Sequence, residues 1–85
     1  MNKGDVVVSL KGHDKGFLYI VMGVEDDLIL LCDGKRKLLE CPKKKNIKHL
    51  KETGAKADLS SFNPLYDAHI RKALKSVSKD ICLKN

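Results

Sequence analysis

GDVVVSLKGHDKGFLYIVMGV, residues 4–24, reads as two β-strands joined by a short basic loop bounded by glycines. Val6, Val8 and Leu10 alternate with Asp5, Val7 and Ser9, the period of two expected of a strand with one buried face. Leu18, Ile20, Met22 and Val24 repeat that pattern after the loop, with Phe17, Tyr19 and Val21 on the opposite face. Between the two runs lies Lys11-Gly12-His13-Asp14-Lys15-Gly16. Its glycines can take positive φ at little cost and let the backbone approach another molecule closely.

Working outward, Glu25-Asp26-Asp27 is an acidic turn, and Leu28–Cys32 is an apolar run of the kind found in a central strand. Asp33-Gly34 is a strong short-range hairpin signal, which predicts a return strand over Lys35–Cys41. Pro42 cannot donate to a ladder and ends that strand; Lys43-Lys44-Lys45 then reads as a basic loop and Asn46–Leu50 as a fifth, short strand. Five short strands with tight turns predict a mainly β fold, a small SH3-like five-stranded barrel spanning residues 1–50. Residues 51–63 lack a sustained period and read as a connector. Asn63-Pro64 or Asp67 opens a C-terminal helix over about 65–78, within a segment 64–85 that packs on the barrel. Ile70, Ala73, Leu74 and Val77 form its apolar stripe; Arg71, Lys72, Lys75 and Lys79 lie off it and make a second basic face. The last residues, 79–85, read as frayed, with Ile81 able to extend the stripe.

The chain has 85 residues, enough for one small core and too few for a substrate-enclosing cleft with its own walls, which points away from an enzyme. No run of about 18 apolar residues is present, and the N-terminus leads straight into a strand without a signal-peptide h-region. Cys32, Cys41 and Cys82 are odd in number and form no Cys-x-x-Cys pair, as expected in a reducing compartment. A cytoplasmic protein is expected. Cys32, Cys41 and His49 have no metal-ligand spacing, and there is no phosphate-binding glycine loop, so no metal and no cofactor are expected.

The net charge of +6 is unevenly spread: residues 35–56 hold nine Lys or Arg against two Glu, while residues 1–34 hold three Lys against six acids. Such a segment calls for a polyanionic partner. Lys35, Arg36, Lys37, Lys43, Lys44, Lys45, Lys48, His49 and Lys51 form the cluster, and cations placed near phosphates gain affinity through counterion release. The loop adds Lys11, His13 and Lys15, with Gly12 and Gly16 allowing close approach; Asp14 can instead serve to cap the turn. Only Phe17, Tyr19, Phe62 and Tyr66 are available to stack on bases, and a core this small is expected to use at least two. Phe17, beside the loop, is the best stacking candidate. The expected ligand is therefore a shaped, phosphate-rich RNA rather than an extended single strand.

Gly4-Asp5-Val6-Val7, Ser9-Leu10, Gly12 and Asp14-Lys15-Gly16 resemble the KOW motif of large-subunit ribosomal proteins of that class and of small bacterial KOW-domain RNA-binding proteins. The likeness runs on through Asp33–Leu38, Pro42–Leu50 and Asp67–Leu74, most of the chain outside residues 51–63. The resemblance implies a non-catalytic SH3-like barrel that binds RNA, ribosomal RNA first, with a role in translation. Gly12 matches the motif glycine, and Lys11, His13 and Lys15 border the RNA-facing loop. Many KOW motifs carry another glycine shortly after the Lys-Gly pair; here Phe17-Leu18-Tyr19 follows. A monomer without membrane or small-molecule partners is expected, and the competing reading is an interaction module that docks an acidic protein of the translation or transcription machinery.

Overall fold

A computed structural model describes residues 1–81. Five antiparallel strands, β1 (Asp5–Ser9), β2 (Leu18–Glu25), β3 (Leu28–Cys32), β4 (Lys43–Asn46) and β5 (Leu50–Lys56), form one sheet in the order β4-β3-β2-β1-β5. A 3-10 turn, Ile47–His49, joins the two edge strands, and one helix, α1 (Asp67–Ile81), closes the described chain. This is the SH3-like arrangement with a C-terminal helix.

The alternation in β1 and β2 marks two buried faces rather than one. Val6 pairs with Ile20 and Ile20 with Cys32, a row that packs under Ile70, Leu74 and Val77 of α1. Val7 pairs with Tyr19 and Val21 with Leu31, and these join Ile29 and Leu50 in a second core. The two edge strands, β4 and β5, are joined by only the three residues Ile47–His49, so the sheet must curl to bring its edges together. One face is thus closed by the curl and the other by the helix. At roughly 25 cal/mol per Å² of apolar surface, both burials are needed in a chain this short.

From residue 33 on, the chain departs from the simple hairpin expected. Asp33 Oδ1 accepts from the backbone N–H groups of Lys35, Arg36 and Lys37, each at 2.9 Å, so the chain coils round the carboxylate instead of turning back. Residues 35–41 form a loop whose only pairing is a Leu38–Cys41 bridge, not a return strand. That role falls to Lys43–Asn46, of which Lys43-Lys44-Lys45 were expected as a basic loop, because Leu28–Leu31 offers a ladder for it: Leu31 pairs with Lys43 and Ile29 with Lys45. The expected fifth strand over 46–50 is instead split: Asn46 ends β4, Ile47–His49 form the 3-10 turn, with Asn46 Oδ1 accepting from Lys48 N, and Leu50 opens β5. The connector is also shorter than expected. Residues 51–56 belong to β5, where Lys51 pairs with Val8 and Glu52 with Val7, supplying the edge that β1 lacked.

Asp67, not Asn63-Pro64, opens α1, and the helix runs to Ile81, past the expected end at 78. Of the terminal segment expected to fray, Cys82 and residues 83–85 lie outside the described residues, as do the side chains of Lys79 and Ile81.

Candidate functional site

Two loops and one helix meet beside Phe17. The loop 33–37 is held to α1 by two contacts: Arg71 Nη1 donates to the Gly34 carbonyl at 2.6 Å, and Asp67 Oδ1 accepts from Leu39 N at 2.8 Å. Gly34 sits at φ +77, and a Cβ there would stand 2.5 Å from the Asp67 carbonyl oxygen and 2.8 Å from Arg71 Cγ. Only glycine lets loop and helix come this close. The result is an open cleft of about 880 Å³ between the loop 33–36, the end of the loop 11–16 and the helix. Gly16, Phe17, Leu18 and Leu74 line its inner side, with Lys35, Arg36, Arg71 and Lys75 around them. Among the described residues the one acid in the lining is Asp33, and its Oδ1 already accepts the three N–H groups named above. The Arg36 guanidinium carbon lies 4.6 Å from the centre of the Phe17 ring, a cation–π contact.

The loop 11–16 is built round Asp14, which points inward rather than capping the turn with its side chain. Only 8% of that side chain is exposed. Its carboxylate accepts from Ser9 Oγ at 2.8 Å and Tyr19 Oη at 2.8 Å, and pairs with Lys43 Nζ at 2.9 Å and Lys45 Nζ at 3.1 Å. Burial alone would raise its pKa; the bonds from Lys43, Ser9, Tyr19 and Lys45 outweigh it and hold the carboxyl well below the usual range. The Tyr19 hydroxyl is pushed up in turn, by burial and by donating to Asp14. Lys45 Nζ also donates to the Lys11 carbonyl at 2.7 Å, and a Cβ on Gly12 (φ +91) would stand 3.4 Å from Asp14 Oδ1.

The residues singled out in the sequence therefore divide. Lys35, Arg36 and Gly16 meet at the cleft; Lys37 is half-buried, its carbonyl accepting from Asp33 N and Gly34 N. Lys11, Gly12, His13 and Lys15 stand exposed on the adjoining loop. Lys43, Lys44 and Lys45 do not form one basic loop, because strand geometry alternates them: Lys43 and Lys45 turn to Asp14, and Lys44 lies 3.8 Å from Glu25. Lys48 is exposed on the 3-10 turn, and His49 is half-buried with its carbonyl accepting from Leu10 N.

Arg71 and Lys75 join the cleft from α1, where they had been expected only to make a separate basic face. Their i, i+4 spacing beside the apolar stripe was visible; the docking of Gly34 against the helix, 37 residues away in sequence, was not. Of the four aromatics only Tyr19 is fully buried; Phe17 packs on the edge of the core, Phe62 stacks on His69 at 4.1 Å, and Tyr66 is exposed.

Among the described residues no group of three His, Cys, Asp or Glu side chains is gathered for a metal, so Cys32, Cys41 and His49 are apart. Cys32 is buried, and burial, with Asp67 and Asp33 nearby, pushes its thiol up to about 11. Cys41 is exposed. No described helix is long and apolar enough to cross a membrane. No family model matches this chain, and no curated protein matches it either.

Proposed function

We propose that this protein is a non-catalytic RNA-binding protein that recognises structured RNA, ribosomal RNA foremost, through the cleft beside Phe17 and the loop 11–16. The observation that carries the reading is the convergence of Lys35, Arg36, Arg71 and Lys75 on one open cleft in which, among the described residues, the single acid is already engaged. A cleft in which four cations outnumber one carboxylate attracts and holds a polyanion, and each Lys or Arg near a phosphate releases counterions. Lys43 and Lys45, by contrast, serve Asp14, so replacing them tests stability as much as binding.

The test is fluorescence anisotropy with a labelled RNA hairpin across a range of salt. K35A/K75A alters two exposed side chains on opposite walls of the cleft. It should weaken binding and reduce the slope of log K against log salt by about one for each lysine that contacts a phosphate. An unaltered slope, or tighter binding to an acidic peptide than to RNA, would overturn the reading; the latter would favour a protein-docking module.

A further inference from the structure

The RNA-binding reading leaves open which part of an RNA enters the cleft, and Phe17 points to an answer. Its backbone is pinned on both sides: Phe17 N donates to the Asp14 carbonyl at 2.9 Å, and its own carbonyl accepts from Ser9 N at 3.0 Å. The half-buried ring packs against the core of Val7, Tyr19 and Leu31 and lines the cleft. Gly16, next to it, places no side chain in the way.

What covers the ring is Arg36, an exposed residue whose backbone N–H is held by Asp33. The loop therefore keeps its shape if the Arg36 side chain swings aside. A planar guanidinium on an aromatic face occupies the position that a nucleobase takes when it stacks there. Leu18 and Leu74 give the surroundings an apolar character suited to a base, and Arg71 and Lys75 stand where flanking phosphates would need cations.

We propose that Phe17 is a stacking platform for one unpaired RNA base, which displaces Arg36 from the ring, so that the cleft takes a bulged or looped-out nucleotide. This rests on the RNA-binding reading above and specifies its ligand. A base inside a continuous A-form duplex is stacked on both faces and cannot offer one to a side chain, whereas splayed bases in loops and bulges can. The displaced guanidinium can then lie on the outer face of the base or pair with its phosphate.

Two RNA hairpins with the same stem separate the two claims, one fully paired and one carrying a single bulged 2-aminopurine. The protein should bind the bulged hairpin about 5- to 150-fold more tightly, the worth of one base–aromatic stack, with 2-aminopurine emission changing on binding. F17L, checked for folding by urea denaturation, should remove the preference and the emission change; F17Y should keep both. K35A/K75A should weaken both hairpins alike. Equal binding of the two hairpins by the unmodified protein, or a preference that survives F17L, overturns the stacking claim while salt-dependent RNA binding stands. If neither hairpin binds in a salt-dependent way, the RNA-binding reading fails and the stacking claim with it.

Discussion

Asp14 is the residue on which the loop 11–16 depends. One carboxylate organises Ser9 of β1 and Tyr19 of β2 together with Lys43 and Lys45 of the edge strand β4, so the loop keeps its shape although its tip is exposed. Asp14→Asn keeps the shape of the side chain but leaves two cations without their counter-charge, one of them only 10% exposed. It should cost about 2–3 kcal/mol in urea denaturation, below the roughly 3–5 kcal/mol for breaking a fully buried pair because Lys43 is partly exposed. Because the Asp14 pKa is lowered in the folded state, its contribution is present above the ordinary Asp value of about 3.9 and is lost as pH falls from there toward the depressed folded value. Stability should therefore decline more gently between about pH 4 and pH 2 in Asp14→Asn than in the unmodified chain. An equal decline in both would place the acid sensitivity elsewhere.

At the scale of elements, the contact between the loop 33–42 and α1 shapes the cleft, and Gly34 is its closest point. Gly34→Ala adds a clash with the helix backbone to a positive φ, whereas Gly54→Ala meets a similar φ (+85) with open space around it. Gly54→Ala should cost about 1 kcal/mol and Gly34→Ala clearly more, about 2–4 kcal/mol, in parallel denaturation curves. Similar losses at the two sites would mean that the loop and helix separate easily. The same region shows where sequence reading stops. β1, β2 and β3 were legible because Val6 to Leu10, Leu18 to Val24 and Leu28 to Cys32 carry their strand signal within themselves. Lys43–Asn46 carries none: its strand identity comes from the ladder on Leu28–Leu31. Asp33-Gly34 looked like a hairpin because that signal counts only the turn, not a carboxylate that captures the next three N–H groups or a helix that arrives 34 residues later.

For the whole molecule, the uneven charge along the chain becomes an uneven charge in space, but not the one the run of lysines suggested. Lys43 and Lys45 are drawn to Asp14, and Lys44 lies beside Glu25, near the acidic turn Glu25-Asp26-Asp27. The cleft takes its cations from two segments far apart in sequence, Lys35 and Arg36 from the loop and Arg71 and Lys75 from the helix. Lys35 and Arg36 were legible as candidates, and so was Phe17. Their union with α1 was not, because it depends on Gly34, Asp67 and Arg71 acting across the fold.

The most direct test is lysine acylation mapped by mass spectrometry, with and without a structured RNA at low salt. The account predicts that RNA protects Lys35 and Lys75 strongly, while Lys44 and Lys56 react as in the free protein. Protection centred on Lys44, or no protection at Lys35 and Lys75 when RNA is bound, would contradict the assignment of this cleft as the RNA-binding face.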